Sequence, residues 1–305
     1  MDGVTSNHDP RWLSAATLVF DRPVAHRRNV GLLGVSTYTK SVTPRSWHST
    51  PEAVREAFER YSTWSYSDDL DLADSTALVD YGDVFDPDGA GGEQRVAAAM
   101  AALDERLAMT VVLGGDNAAT WHAMSGLAGA DLSRWGLVTL DAHLDLRDGD
   151  SNGSPVRQLL DAGLDGRHVA QVGLADFSNS PAYAQRAREA GITIITRDVL
   201  RTESIEHVAA RALDVAGGDG RPVYVDIDMD AADRSAVPGC PAAAPGGLSA
   251  DEMRRFARTV AADSRVRALD ITEIDVGRDS ADQRTVRLGA LLVLEVLAGV
   301  QRRDQ

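Results

Sequence analysis

The sequence predicts an α/β protein built around a mostly parallel β-sheet of about eight strands, with helices on both faces. Two observations carry this prediction. Short apolar runs alternate with helical patterns along most of the chain, and these runs lack the polar alternation of a half-exposed strand. Such a succession is typical of parallel sheets, whose strands are buried on both faces. The 44% of hydrophobic residues can form a large core.

The predicted elements follow one another in regular order from residue 30 onward. Strand-like runs lie at residues 30–35, 76–81, 110–113, 135–140, 168–174, 192–196, 222–227 and 266–272. Helical patterns lie at residues 50–61, 93–108, 118–128, 154–162, 181–190, 204–216, 249–262 and 282–299. Thr50, Pro51 and Glu52 supply a cap, a proline and a first-turn acid, which together indicate the start of a helix. The stretches 36–49 and 62–74 have no period and are predicted loops, which at this length are often functional.

The chain is expected to form one domain with an N-terminal arm. Residues 1–28 are mixed and polar, and we expect an arm that packs loosely or against a neighbouring subunit. Trp12 and the apolar run 18–20 are its candidate contacts. Because no linker rich in Pro, Gly or Ser divides the rest, residues 29–305 are predicted to be a single domain.

Composition and charge exclude several classes of function. The net charge is −15 and Lys and Arg form no run, so we expect no binding to nucleic acid. No window approaches 18 uninterrupted apolar residues and the N-terminus lacks a signal pattern, so neither a membrane span nor a leader is expected. Cys240 is the only cysteine, which excludes disulfides within the chain. These features favour a cytoplasmic protein.

Polar side chains alternate directly after the predicted strand 135–140. Asp141, His143 and Asp145 would point to one face of an extended backbone. Convergent carboxylates repel each other unless a cation lies between them. Oxygen and nitrogen donors without a thiolate suit Mn, Fe, Co, Ni or Zn. A metal site is therefore one interpretation, and a polar loop whose aspartates cap the next helix is the other.

Three further predicted strand ends carry unusual polar groups. These groups are Asp116 and Asn117 after the third strand, Asp226, Asp228 and Asp230 along the seventh, and Asp270 and Glu273 along the last. The first pair could simply cap a helix, and an exposed edge strand could carry the three alternating acids, although burial without cations would be destabilising. Ligands of open α/β sheets lie outside the carboxyl ends of strands, where these groups would meet. Together they could hold two metal ions and an attacking hydroxide.

At these positions the sequence resembles the ureohydrolase family of arginase, agmatinase and formimidoylglutamase. The family motifs G-G-D-H, D-A-H-x-D, D-x-D-x-x-D and E-[VI] appear here as Gly114-Gly-Asp-Asn117, Asp141-Ala-His-Leu-Asp145, Asp228-Met-Asp-Ala-Ala-Asp233 and Glu273-Ile274. Pro238-Gly239 and Pro245-Gly-Gly-Leu248 also match the family. The resemblance covers roughly residues 30–300, in order and at family-like spacing.

The resemblance implies a three-layer α/β/α sandwich with an arginase-like fold, two Mn²⁺ ions per chain and a homo-oligomer, either a trimer or a hexamer. The implied metal ligands are Asn117, Asp141, His143, Asp145, Asp228 and Asp230. Of these, Asp141 and Asp228 would bridge both ions. His143 and Asp230 would complete the shell of one ion, while Asp145 and Asn117 would face the other.

Two departures from the family pattern refine the prediction. The family usually has His in place of Asn117, and a neutral amide is a weaker ligand, so one metal site is expected to be weakened. Arginases and agmatinases place a His before G-x-P where this chain has Asn152. Formimidoylglutamases have D-A-H-F-D-L-R followed by S-G-T-P-F-R-Q, and this chain has Asp141-Ala-His-Leu-Asp-Leu-Arg147 followed by Asn152-Gly-Ser-Pro-Val-Arg-Gln158. The sequence is therefore closest to the formimidoylglutamase branch.

Two arginines give a physical reason for that branch. N-formimidoyl-L-glutamate carries two carboxylates, which Arg147 and Arg157 could clamp, whereas dicationic agmatine would be repelled. Structural ion pairs are the alternative role for both arginines. The residues predicted to bind substrate are Arg147, Asn152, Ser154, Arg157 and Glu273. Asp145 and Glu273 are the predicted catalytic residues, the first as a proton shuttle and the second as a partner of the cationic amidine.

Three functional hypotheses follow from the resemblance. The first is hydrolysis of N-formimidoyl-L-glutamate to L-glutamate and formamide, a step of histidine degradation, by attack of a metal-activated hydroxide. The second keeps this chemistry but acts on a guanidino acid or on agmatine and releases urea. The third is a metal-poor, non-catalytic homologue, which Asn117 would favour.

Overall fold

The computed structural model describes residue 9 and residues 11–43, 45 and 49–303. Its strands are β1 (Val19–Phe20), β2 (Arg28–Val35), β3 (Trp64–Ser65), β4 (Leu70–Asp71), β5 (Thr76–Asp83), β6 (Met109–Gly114), β7 (Gly136–Leu140), β8 (Val169–Leu174), β9 (Thr193–Thr196), β10 (Val223–Asp228) and β11 (Val266–Thr272). Its helices are α1 (Thr50–Ala57), α2 (Leu72–Ser75), α3 (Gly92–Ala101), α4 (Ala118–Ala128), α5 (Pro155–Asp161), α6 (Pro181–Ala190), α7 (Ile205–Ala216), α8 (Ala250–Ala262) and α9 (Arg284–Val300). Short 3₁₀ turns connect several of them.

Nine strands form one sheet in the order β1-β5-β2-β6-β11-β10-β7-β8-β9, and every neighbouring pair is parallel. Side chains alternate between two apolar layers, as Leu32 and Leu33 of β2 illustrate. One layer packs against α1, α7, α8 and α9, and the other against α3, α4, α5 and α6. The predicted three-layer α/β/α sandwich is therefore confirmed.

The sheet has one strand more than predicted. All eight predicted strands are present, and β1 adds a ninth by pairing Val19 and Phe20 with β5 at the sheet edge. Two residues are too short to show a period in the sequence. The 62–74 loop also contains a small antiparallel pair, β3 and β4.

Helix α3 ends seven residues earlier than the sequence predicts. It stops at Ala101, whereas the helical pattern extends to residue 108. The Asp104 side chain accepts a hydrogen bond from the backbone N–H of Arg106 at 2.9 Å. Such a local turn competes with helical hydrogen bonding, because the short acid bonds its own backbone two residues ahead.

Part of the predicted arm belongs to the sheet. Leu18 is buried and leads into β1. Residues 1–8 and 10 lie outside the described residues, so the boundary at residue 28 and docking of the arm on a neighbouring subunit stay predictions. Within the described part of the chain, no helix combines the length and apolar character needed to cross a bilayer.

The strand order places a crevice above the middle of the sheet. β6 and β7 are consecutive in sequence along the main sheet, but β11 and β10 lie between them. Chain connections therefore diverge on the two sides, and the carboxyl ends of these four strands stay open to a ligand. The four polar strand ends noted in the sequence belong to these same strands.

Candidate active site

The carboxyl ends of β7, β10 and β11, together with the segments that follow β2 and β8, line a cavity of about 270 Å³. Predicted site residues that line it are His143, Asp145, Arg147, Asn152, Asp228, Asp230 and Glu273. Asn117 and Asp141 are buried and contact lining residues from behind. The structure thus brings most of the predicted site together in one place.

Three side chains form a cluster with the geometry of a metal site. His143 Nδ1 lies 2.7 Å from Asp230 Oδ2 and 3.5 Å from Asp141 Oδ1. Ligand atoms of these three residues all lie within 4.8 Å of one another. Ligands of a divalent cation at bond lengths of about 2.0–2.2 Å stand at similar mutual separations. Asp141 Oδ2 is buried and accepts no hydrogen bond from any described residue, so it remains available to a cation.

Two more aspartates complete the acidic wall. Asp228 ends β10, and its Oδ1 accepts a hydrogen bond from the backbone N–H of Asp230 at 2.7 Å, which fixes the turn between them. Asp145 has a left-handed backbone with φ of 52°, a strained conformation typical of functional sites. Its backbone carbonyl accepts the N–H of Arg157, the third residue of α5, at 3.1 Å.

Burial dominates the electrostatics of the cluster. It raises the pKa of Asp141 and Asp228, and the neighbouring acids raise both further. Burial also raises the pKa of Asp145 to about 7. For Asp230, burial is outweighed by His143, which lowers the pKa of the carboxyl. Burial lowers the pKa of His143, but the acids around it prevail and raise that pKa to about 9. Buried acids of this number favour a bound cation, so the residues present fit a divalent metal.

The metal-free protein is expected to lose stability as the pH rises. The pKa of Asp145 in the folded protein is about 7, above the ordinary value of 3.8. The stability that this carboxyl contributes by binding a proton is therefore lost as the pH rises from 3.8 to about 7. His143 adds a loss between 6.5 and about 9. We expect the melting temperature with EDTA to fall by more than about 5 °C between pH 5 and pH 9. Mn²⁺ should remove most of this fall by replacing the protons. A constant or rising melting temperature with EDTA would contradict this electrostatic picture.

Asn117, a predicted metal ligand, is hydrogen-bonded through both atoms of its amide group. Its side-chain oxygen accepts hydrogen bonds from the hydroxyls of Thr120 and Thr272, at 2.7 and 3.1 Å. Its amide nitrogen donates to Asp145 Oδ2 at 2.5 Å. Asn117 therefore positions Asp145 here, and it would have to turn its amide group to offer an oxygen to a metal ion. Sequence spacing alone could not reveal the two threonine partners.

Asp226 does not line the cavity, whereas Asp228 and Asp230, the predicted ligand pair, do. Asp226 pairs in register with Asp270 of β11, and both are fully buried. Tyr224 donates its hydroxyl hydrogen to Asp270 Oδ2 at 2.8 Å. Burial and the nearby Asp270 charge raise the pKa of Asp226 well above its usual range, which favours a neutral acid within the sheet.

Glu273 is held at the cavity wall by several donors. Its backbone has φ of 63°. Oε1 accepts the backbone N–H of Asn117 and the side-chain N–H of Asn152, both at 2.9 Å. Asn152 Oδ1 in turn accepts the N–H of Val42 at 2.9 Å, which fixes one wall of the cavity. Asn152 therefore joins Glu273 to the long loop that follows β2.

Two further residues at the site carry no recognisable signal in the sequence. Arg45 belongs to the non-periodic 36–49 loop, and its side chain is only 5% exposed. It donates to the Ile274 carbonyl at 2.7 Å and lies 3.6 Å from Glu273 Oε2. Asn179, in the loop after β8, accepts the N–H of Leu144 at 2.8 Å and so anchors the segment that carries the metal-type cluster. Neither residue belongs to a periodic pattern.

The two predicted arginines have different roles. Arg147 lines the cavity, and its guanidinium makes no hydrogen bond or ion pair with the described residues. Arg157 does not line the cavity, because it donates to the carbonyls of Arg147 and Gly149 and to Asp161. Ser154 is buried outside the cavity, where its hydroxyl bonds the backbone of Ser151. Arg157 and Ser154 thus support the loop that presents Arg147, and their predicted contact with substrate stays a prediction.

The protein is thus an α/β protein in which buried acids and one histidine form a metal-type site at the carboxyl ends of parallel strands. A model of the arginase family matches residues 28–299, and the chain belongs to that family. A formimidoylglutamase from Halalkalibacterium halodurans is 32% identical over 278 residues, covering 88% of this chain and 86% of that protein. A formimidoylglutamase from Bacillus subtilis is 31% identical over 280 residues, with the same shares covered. The resemblance noted in the sequence is confirmed.

Solved structures show the same fold. The crystal structure of the Bacillus subtilis formimidoylglutamase has a TM-score of 0.89 at 27% identity, and covers 100% of this chain and 97% of that chain. A Trypanosoma cruzi formiminoglutamase solved with two Mn²⁺ ions has a TM-score of 0.83 at 20% identity, over 96% of this chain and 100% of that one. This second likeness is one of fold alone.

Proposed function

We propose that this chain hydrolyses N-formimidoyl-L-glutamate to L-glutamate and formamide with the help of bound metal ions. The observation that carries the proposal is one cavity that joins a metal-type acid cluster to the guanidinium of Arg147, which has no partner among the described residues. The first suits attack on an amidine carbon, and the second suits an acidic substrate. The relatives named formimidoylglutamase support the same substrate.

The metal ions would be two Mn²⁺ per chain. Asp141, His143, Asp145, Asp228 and Asp230 would hold the ions, with His143 and Asp230 on one ion and Asp145 on the other. When bound, such ions act as Lewis acids and make hydroxide available near neutral pH. The second ion would bind more weakly, because the amide oxygen of Asn117 already accepts two hydroxyl donors.

The side chains of this protein would bind the substrate and move its protons. Arg147 would pair with a substrate carboxylate at the cavity wall. Glu273 would accept a hydrogen bond from the cationic amidine through Oε2, which faces fewer donors than Oε1. A carboxylate that lines the cavity beside the metal-type cluster, as Asp145 does, lies within reach of the attacking water. Asp145 would take the proton of the attacking water and give it to the leaving nitrogen. The new C–O bond replaces the C–N bond to glutamate, and formamide is the second product.

The substrate assignment is tested by the products released. The Mn²⁺-loaded protein is incubated separately with N-formimidoyl-L-glutamate, 4-guanidinobutyrate and agmatine, and the products are identified by NMR. We expect formamide and glutamate from the first compound, and little or no urea from the other two. Urea release without formamide would instead assign the protein to guanidine hydrolysis. No turnover of any of the three would favour a non-catalytic homologue.

The predicted oligomer and location also remain proposals. We propose a homo-oligomer of three or six copies in the cytoplasm, on the strength of the family resemblance and the acidic, cysteine-poor composition. Analytical ultracentrifugation of the full chain would test the oligomer. A mass equal to that of a single chain at micromolar concentration would exclude it.

A further inference from the structure

The carboxylate of Glu273 has few acceptor positions left for a ligand. A carboxylate offers about four lone-pair positions, two on each oxygen. Oε1 already accepts two hydrogen bonds, from the backbone of Asn117 and from the side chain of Asn152. Only the positions on Oε2 remain, and Glu273 is 4% exposed, so water can supply little compensation.

The second oxygen of Glu273 is partly taken as well. Arg45 Nη1 lies 3.6 Å from Oε2 and is buried, with no hydrogen-bond partner of its own among the described residues. The positive charge of Arg45 therefore attracts Oε2, the carboxylate oxygen to which Asn152 does not donate. Arg45 is held there by its bond to the Ile274 carbonyl, the residue after Glu273. One acceptor direction on Oε2 stays available to a substrate in the cavity.

This restricted capacity matters for the choice between amidines and guanidines. A formimidoyl group has one terminal nitrogen on a C–H carbon, whereas a guanidino group has a second terminal NH₂ in place of that hydrogen. The extra NH₂ needs an acceptor when it is buried, because an unsatisfied buried donor costs free energy. For this reason, a site whose polar groups match those of one substrate strongly rejects an analogue with a different set of hydrogen-bonding groups.

We propose that Asn152, assisted by Arg45, is a positioning residue that makes the site selective for formimidoyl over guanidino compounds. Because Asn152 donates to Oε1, Glu273 can accept a hydrogen bond from one terminal nitrogen of the substrate but not from two. This inference rests on the proposed function, since it requires the amidine to bind at Glu273. It assigns to Asn152 an indirect role through Glu273, in place of the direct substrate contact expected from the sequence.

The test uses two substrates that differ at a single group. N-formimidoyl-L-glutamate and its guanidino counterpart, N-amidino-L-glutamate, have identical carboxylates and differ only by hydrogen or NH₂ on the reacting carbon. The measured quantity is the ratio of kcat/KM for the first compound to that for the second. In Asn152→Leu, which removes the donor at nearly constant volume, we expect this ratio to fall at least about tenfold. Asn152→Ala should show a similar fall, and Arg45→Met a smaller one in the same direction.

Two controls separate this role from simpler explanations. Arg60→Ala removes an exposed arginine whose side chain bonds Gln283, and it should leave the ratio unchanged. If only Asn152→Ala shifts the ratio, added space rather than a freed acceptor is responsible, and the proposal is overturned. Equal losses for both substrates in all variants would also overturn it, because they would indicate a loosened loop. If the unaltered enzyme hydrolyses neither substrate, the proposed function itself fails, an outcome distinct from an unchanged ratio.

Discussion

Replacing Asp228 with asparagine is expected to lower kcat/KM for N-formimidoyl-L-glutamate by more than about 100-fold. This loss is larger than the roughly 10- to 100-fold loss typical of replacing a residue that only supports a metal ligand. The buried carboxylate of Asp228 borders the cavity and fixes the turn to Asp230. An amide would keep the shape but remove a negative charge that a divalent ion requires. The measurement is steady-state kinetics together with the metal content of the same preparation, which should fall in parallel.

A matched control is available on the surface. Asp251→Asn removes one charge from the first turn of α8, where Asp251 pairs with Arg255 and is largely exposed. This variant should keep the activity and metal content of the parent protein within about twofold, since exposed ion pairs contribute little. The metal assignment of Asp228 would be wrong if its asparagine variant kept full metal content and activity within tenfold of the control.

Replacing Arg147 with alanine should raise the KM for N-formimidoyl-L-glutamate by roughly 10- to 100-fold and change kcat less, because a charge-assisted hydrogen bond to a carboxylate is lost. The Arg147 guanidinium is free to take this role, since it has no partner among the described residues. The control is Arg188→Ala on α6. The exposed side chain of Arg188 donates a hydrogen bond only to Gln185 among the described residues. That variant should leave both constants unchanged.

The substrate charge makes the Arg147 prediction sharper. Agmatine has no carboxylate, so any weak binding of agmatine should improve or stay the same in Arg147→Ala. Weaker binding of N-formimidoyl-L-glutamate and agmatine by the same factor would mean that Arg147 shapes the cavity rather than pairing with a carboxylate. Inhibition constants, measured by competition with the acidic substrate, are sufficient for agmatine.

Local patterns explain why much of the fold and the metal-type cluster could be predicted. Buried parallel strands must be apolar on both faces, so each of the eight longer strands leaves a continuous run in the sequence. Asp141, His143 and Asp145 lie within five residues at one strand end. Parallel order then brings their strand beside the one that ends at Asp228, because all strand ends face the same edge. These features depend on sequence order more than on side-chain detail.

Other features depend on contacts between distant segments, which no local pattern reveals. Arg45 reaches Glu273 across more than 200 residues of sequence, from a loop without a period. Arg147 and Arg157 differ because the guanidinium of Arg157 donates hydrogen bonds to backbone carbonyls of the connecting loop. The orientation of the Asn117 amide depends on hydroxyls of α4 and β11. Sequence spacing placed these residues near the site but could not assign their partners.

A Mn²⁺ titration followed by EPR tests most directly whether the strand-end acids form a metal centre. The metal-free full-length protein should bind two equivalents per chain, one tightly and one more weakly, and Asp228→Asn should lose at least one of them. Because bound Mn²⁺ loses the six-line signal of the free ion, each equivalent can be counted without reference to activity. A signal that grows from the first addition, with no ion bound even at millimolar Mn²⁺, would contradict the account.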